Sequence, residues 1–160
     1  MTGLEFATFL DFIVLLFTNK ITLSLIITFI ITELTKILFD FWKTKKFVFA
    51  NLYHGGGMPS SHSSLVSALT FSILFNLGFS IMWVAVFIFS LVIVRDSFGV
   101  RRHAGEQARV LNMVLKDSKN LKYRGMLGRK KLQEHIGHKP IETIVGVIFG
   151  LVISIVISLI

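Results

Sequence analysis

Four groups of polar residues in this chain have the types and spacing that phosphoryl transfer needs. His138 precedes Glu142 by four residues, and Pro140 between them suits a first helical turn. A carboxylate that holds one imidazole nitrogen fixes the tautomer and leaves the other nitrogen to attack. A second histidine, His62, closes the run Gly55-Gly56-Gly57-Met58-Pro59-Ser60-Ser61-His62. Glycines allow close backbone approach, a serine caps orphan amides, and a helix that starts this way turns its positive end toward an anion. His62 would stand one turn inside as a proton donor. Arg101 and Arg102 lie in a third group running from Asp96 to Gln107, and adjacent guanidiniums offer forked donors to phosphate oxygens. Asp96 either orients them or pairs with Arg95 or Arg101 as structural glue, and His103 reads as structural. In the fourth group Glu33, Lys36, Asp40 and Lys43 follow one another at three- and four-residue steps, so they share one helix stripe. A charge within an apolar span needs a reason. Lys36 beside Glu33 is read as functional.

These groups must be carried by membrane helices. The chain is 53% apolar yet has a net charge of +8, so greasy and basic parts are segregated along it. Stretches 21–39, 65–77, 81–94 and 141–160 approach the roughly 20 apolar residues of a membrane span. The middle two are short and form a hairpin turning at Asn76-Leu77-Gly78. Stretch 4–17 is an interfacial helix or a fifth, partial span, and no signal-like positive region precedes it. The predicted fold is therefore all-α: a polytopic membrane helix bundle of four spans plus an N-terminal helix within 1–18. It is a single domain over 1–160, with 95–140 read as a basic loop that carries site residues. Lys43, Lys45 and Lys46 mark the first connection, whereas the hairpin and the carboxyl end carry no basic residue. Chain reversal then puts the four polar groups on one side of the bilayer, and the positive-inside tendency makes that side cytoplasmic. Gly146 and Gly150, four apart, read as a close helix-packing pair.

Composition removes several other chemistries. With no cysteine there is no disulfide, thiolate zinc site or thiol nucleophile. Carboxylates are sparse, and Asp96 with Glu106 is the one pair worth checking for a metal. Apart from Phe98 at its start, the basic loop carries only Tyr123 as a stacking aromatic, which disfavours nucleic acid. A transporter is disfavoured by few spans and no inverted repeat.

The groups taken together resemble the divergent branch of the type 2 phosphatidic acid phosphatases, relatives of bacterial acid phosphatases and vanadium-dependent haloperoxidases. The likeness runs from Ile21 to the carboxyl end. The superfamily's first motif is a lysine, six residues, then arginine-proline; Lys36 and Lys43 keep that spacing, with Lys43 and Thr44 in place of arginine-proline. Its second motif, PSGH, corresponds to Pro59-Ser60-Ser61-His62. Its third ends in histidine, three residues, aspartate and a glycine four later, matched by His138, Glu142 and Gly146 with glutamate for aspartate. The upstream serine-arginine pair of that motif is replaced by Lys131 and Leu132. Arg101 or Arg102 could stand in for the missing arginine.

The resemblance implies metal-independent, cofactor-free hydrolysis of a phosphate monoester or pyrophosphate, commonly of a lipid, in a plasma membrane of bacterial type. His138 would be the nucleophile, Glu142 its orienting carboxylate and His62 the proton donor. Lys36, Lys43, Arg101, Arg102 and the backbone near Gly57, Ser60 and Ser61 would hold the phosphoryl oxygens. The substrate and the bilayer are the implied partners, and self-association is left open. The competing expectation is a protein on the same fold that binds anions without turnover, favoured by the departures in the first and third motifs.

Overall fold

A computed structural model describes residues 9–45, 57–117, 132–134 and 136–160. The described residues form six helices and no strand: α1 (Phe9–Thr18), α2 (Lys20–Thr44), α3 (Ser61–Leu77), α4 (Ile81–Phe98), α5 (Val100–Asp117) and α6 (Pro140–Leu159). Their starts are written locally. Asn19 accepts from the amides of Ile21 at 2.8 Å and Thr22 at 3.4 Å, Ser60 caps α3 through the Ser63 amide, and Ser80 caps α4 through the Trp83 amide at 3.2 Å. Pro140 opens α6, where its missing N–H costs nothing. Gly78 ends α3, and 78–80 make the tight hairpin expected there.

Three helical stretches are long and apolar enough to cross a membrane: Lys20–Trp42, the run beginning at Ile81, and Pro140–Leu159. The second of the expected spans, α3, is 17 residues, about 26 Å long, and packs against α2, α4 and α6. Its apolar count is low because its inner face is serine and threonine: Ser63, Ser64, Ser67, Thr70 and Ser72 are all buried.

The polarity of the bundle is inverted relative to a water-soluble core. Ala68, Ile73, Ala108 and Ile157 are the buried apolar residues among those described, whereas Phe79, Ile81 and Leu159 are each more than 80% exposed. A bilayer explains this, because lipid solvates large apolar side chains and leaves helix association to close packing and interhelical hydrogen bonds. The closest contact is α3 on α6. A Cβ on Gly146 would lie 2.6 Å from the Ser60 carbonyl oxygen, and one on Gly150 would collide with the Ser64 carbonyl and lie 2.7 Å from the Ala68 nitrogen. The pair thus acts in packing within the chain. Ser67 donates to Val147 O at 2.7 Å and Ser154 to Ala68 O at 3.0 Å, so these hydroxyls tie one helix to the other.

Residues 100–117 depart from the expectation of a loop over 95–140. They form α5, with Gly105, Ala108 and Asn112 on its inner side. The sequence reads as polar because charged and other polar residues are interleaved with its apolar ones. The helical spacing of Gly105, Ala108 and Asn112 is the signal that a hydropathy count overlooks.

Candidate active site

The helix directions gather the polar groups at one end. Ser61, at the start of α3, donates to Glu33 Oε1 of α2 at 2.5 Å; the amide of Ser60 donates to Glu142 O of α6 at 3.1 Å; the amide of His138 donates to Ser97 O of α4 at 2.9 Å. At the other end Lys20 reaches Ser158 O at 3.4 Å.

His138 is 7% exposed, and its Nδ1 lies 3.1 Å from Glu142 Oε2. The same carboxylate oxygen accepts the Lys139 amide at 3.1 Å, so the helix start locks the carboxylate before the imidazole meets it. With Nδ1–H donated to Glu142, Nε2 carries the lone pair. Thr143, one residue on, hydrogen-bonds Ser97 across 3.2 Å and ties α6 to α4 beneath the histidine.

A cavity of about 260 Å³ lies between these elements, lined by His62, Asp96, Ser97, Arg101, Gln133 and His138, with Ile93, Ile136 and Gly137 completing its wall. His62 and His138 therefore face one space from two helix amino termini. His62 sits in the first turn of α3, ahead of the apolar run that begins at Leu65. Its pKa is lowered by burial first, then by the positive charge of Arg101, by His138 and by Lys36, with Asp96 opposing. The surrounding positive charge favours the neutral imidazole, and an anion in the cavity would oppose that effect.

Arg101 and Arg102 separate here. Arg101 lines the cavity and donates from Nε to Asp96 Oδ2 at 2.6 Å, so Asp96 orients it, while the Arg95 guanidinium lies over the Phe98 ring. Arg102 instead reaches Glu106 along α5 at 3.3 Å, and His103 pairs with the same glutamate on the surface. Neither lines the cavity. Of the candidate metal pair, Asp96 is thus held by Arg101, and Glu106 by Arg102 and His103.

Lys36 also stands outside the cavity wall. Its ammonium pairs with Glu33 at 3.2 Å and contacts Ser61, which places its charge behind the first turn of α3. Lys43 is on α2, and its side chain lies outside the described residues, as do Gly55 and Gly56. Gly57 takes φ +100 where the chain turns into α3, a conformation that suits glycine. Ser60 is fully buried: its hydroxyl caps α3 and its amide is used by Glu142 O, so it positions the helix start. The amides of Ser61 and His62 stand in the first turn, where a helix supplies them no acceptor.

Of the other lining residues, Ser97 and Gly137 stand in the polar groups read from the sequence but were given no role there, and Gln133 and Ile136 were not named. A positive φ of 86° at Gly137 is one reason for glycine there, and a Cβ would also lie 2.8 Å from the Arg101 carbonyl carbon. A glycine beside a candidate histidine was the one available signal.

No solved structure matches the chain. A curated relative, described as "Uncharacterized membrane protein YuiD" of Bacillus subtilis (strain 168), is 34% identical over 152 residues, covering 89% of this chain and 96% of that protein. The model of the Divergent PAP2 family matches residues 17–153, a stretch that takes in Lys36, His62, Arg101, His138, Glu142 and Gly146. On that match, and on the helical bundle that gathers those residues at one end, the chain is an integral membrane protein belonging to the Divergent PAP2 family.

Proposed function

We propose that the chain is a membrane phosphatase that hydrolyses a phosphate monoester or pyrophosphate of a lipid through a phosphohistidine. The observation that carries this reading is the cavity shared by His62, Arg101 and His138, with Glu142 on the far nitrogen of His138. An anion binder needs positive charge and amides but has no use for an oriented nucleophile opposite a second histidine.

In the first step His138 Nε2 forms a bond to phosphorus, and the bond from phosphorus to the leaving oxygen breaks as His62 gives that oxygen its proton. His62, now neutral, takes a proton from water; the hydroxide attacks phosphorus, the N–P bond breaks, and phosphate leaves His138 as it was. Arg101 and the amides of Ser61 and His62 stabilise the equatorial oxygens, with Lys36 adding its charge from behind the helix start. Lys43 enters this reading through the first family motif and Gly57 through its place before the start of α3, whereas Arg102, turned to Glu106, drops out of it. Ser60 contributes through the helix it caps. Cationic side chains and helix amides occupy the role that a divalent ion has in other phosphatases, so turnover is metal-independent. The site opens on the cytoplasmic face of the plasma membrane, the side that the basic connections favour.

The second reading, an anion-binding protein without turnover, draws on Lys131 and Leu132 in place of serine-arginine and on the engagement of Lys36 by Glu33. A phosphate-release screen separates the two. Purified protein is offered phosphatidate, phosphatidylglycerol phosphate, polyprenyl phosphates and a soluble ester, with and without chelator, beside His138→Ala. Release from a lipid phosphate that survives chelator and is lost in the variant supports the enzyme; release that survives His138→Ala sinks the mechanism.

A further inference from the structure

The segment that delivers Gln133 and His138 to the cavity is held along α5. Along the described residues 132–134 and 136–138 of this strap, the partners fall in reverse order on α5 and α4. Leu132 and Glu134 meet Asn112; the carbonyls of Glu134 and Ile136 lie over Gly105, where a Cβ would be 2.7 and 2.9 Å from their oxygens; Gly137 lies on the Arg101 backbone; His138 meets Ser97. Three of these four anchors are backbone approaches or backbone bonds. Asn112 is the exception.

Its carboxamide behaves as the edge of a strand would. Oδ1 accepts the Leu132 amide at 3.0 Å, and Nδ2 donates to Leu132 O at 2.8 Å and to Glu134 Oε1 at 2.9 Å. The residue between its two targets is Gln133, which lines the cavity. Resting on the phosphatase reading above, we infer that Asn112 is a positioning residue of the site: it fixes the strap so that Gln133 stays in the cavity wall and His138 keeps its line to phosphorus. It touches neither substrate nor reacting atoms. Asparagine is required because one side chain must both accept from and donate to the same backbone residue. Aspartate supplies only the acceptor and adds a charge facing Glu134, and leucine of similar size supplies neither function.

The test uses the full chain in lipid nanodiscs and a two-by-two exchange. Asn112→Leu and Asn112→Asp are compared with Asn112→Asp combined with Glu134→Gln, in which the amide and carboxylate trade places, and with Glu134→Gln alone. Two readouts are taken: kcat and KM for the substrate found by phosphate release, and amide hydrogen exchange over 132–138. A positioning role predicts that Asn112→Leu lowers kcat on the order of 10- to 100-fold at nearly constant KM, the cost of a small misplacement of reacting groups. Exchange over 132–138 rises in that variant while the thermal midpoint stays near wild type. The double variant recovers only part of the kcat that Asn112→Asp loses, because the pair between positions 112 and 134 is restored in reverse while the donor to Leu132 O stays missing. Unchanged kcat and unchanged exchange in Asn112→Leu overturn the inference, as does a loss in the double variant equal to the sum of the single losses. If the wild type releases no phosphate from any ester, the phosphatase reading fails, and exchange alone decides whether Asn112 holds the strap.

Discussion

Midway along the seam between α3 and α6, serine and glycine close the bundle; a turn before Gly146 the same seam opens on a cavity. In the closed part Ser67 and Ser154 spend their hydroxyls on backbone carbonyls, and Gly150 brings the helices to backbone contact. At the open end Ser60 and Ser61 diverge. Ser60 is buried against α6 and binds Glu142 O, whereas Ser61, one residue on, faces α2 and meets Glu33 and Lys36. Composition cannot distinguish the two serines. What separates them is the helix boundary: Ser60 is the extended N-cap, its hydroxyl turned back to Ser63 and its amide to α6, whereas Ser61 is the first helical residue and turns its side chain toward charge. Packing at the seam therefore sets the first turn of α3, and that first turn aims His62.

The comparison breaks most completely at Gly150. Gly150→Leu should leave no folded bundle, read as loss of monodisperse protein after extraction, because the added side chain must displace the Ser64 and Ala68 backbone. Recovery of folded, active Gly150→Leu would mean that the seam is not closed by backbone contact. At the open end, Arg101→Ala should lower kcat on the order of 100-fold with folding intact, as loss of a transition-state donor does. Arg102→Ala should change it little, since that guanidinium is turned to Glu106 on the surface. Equal losses in both variants would put the two arginines in one role.

A subtler separation concerns pH. Positive charge at Arg101 lowers the His62 pKa, so the protonated form that donates to the leaving oxygen is lost as pH rises through a value below 6.5. Removing that charge in Arg101→Met raises the His62 pKa, and the alkaline limb of kcat/KM should move to higher pH. A limb that stays in place, or moves down, would detach His62 from that limb. The smallest effect belongs to α2, away from the seam. Thr32 is fully buried in α2 with a hydroxyl that finds no partner, so Thr32→Val should leave the thermal midpoint unchanged or slightly raised. A loss of more than about 1 kcal/mol would show that the hydroxyl is bonded after all.

Much of the site was legible because its residues are close in sequence or carry unmistakable chemistry. His138 and Glu142 are one helical turn apart behind a proline, and their contact follows from local geometry alone. The convergence of His62 with Arg101 followed from chain reversal between spans. Which arginine faces the cavity did not, because adjacent residues on a helix point to different sides and only the packing of α5 decides. The helical nature of α5 was hidden by its charges, and α3 reads as a short span because its buried face is polar. Asn112, Gly105 and Gly137 gain meaning only once Leu132, Glu134, Ile136 and Gly137 lie against α5, a contact between segments far apart in sequence. Local periodicity carries no trace of it.

The central claim is that His138 becomes covalently phosphorylated. Rapid mixing with a substrate labelled in its phosphoryl group, quenched within the first turnover, tests it directly. Wild-type protein should carry a label that survives alkali and is lost in acid, as a phosphoramidate does, with none formed by His138→Ala and a reduced amount in Glu142→Gln. Labelled protein from His138→Ala, or wild-type turnover with no phosphoenzyme at any quench time and a rate that collapses with chelator, would contradict it.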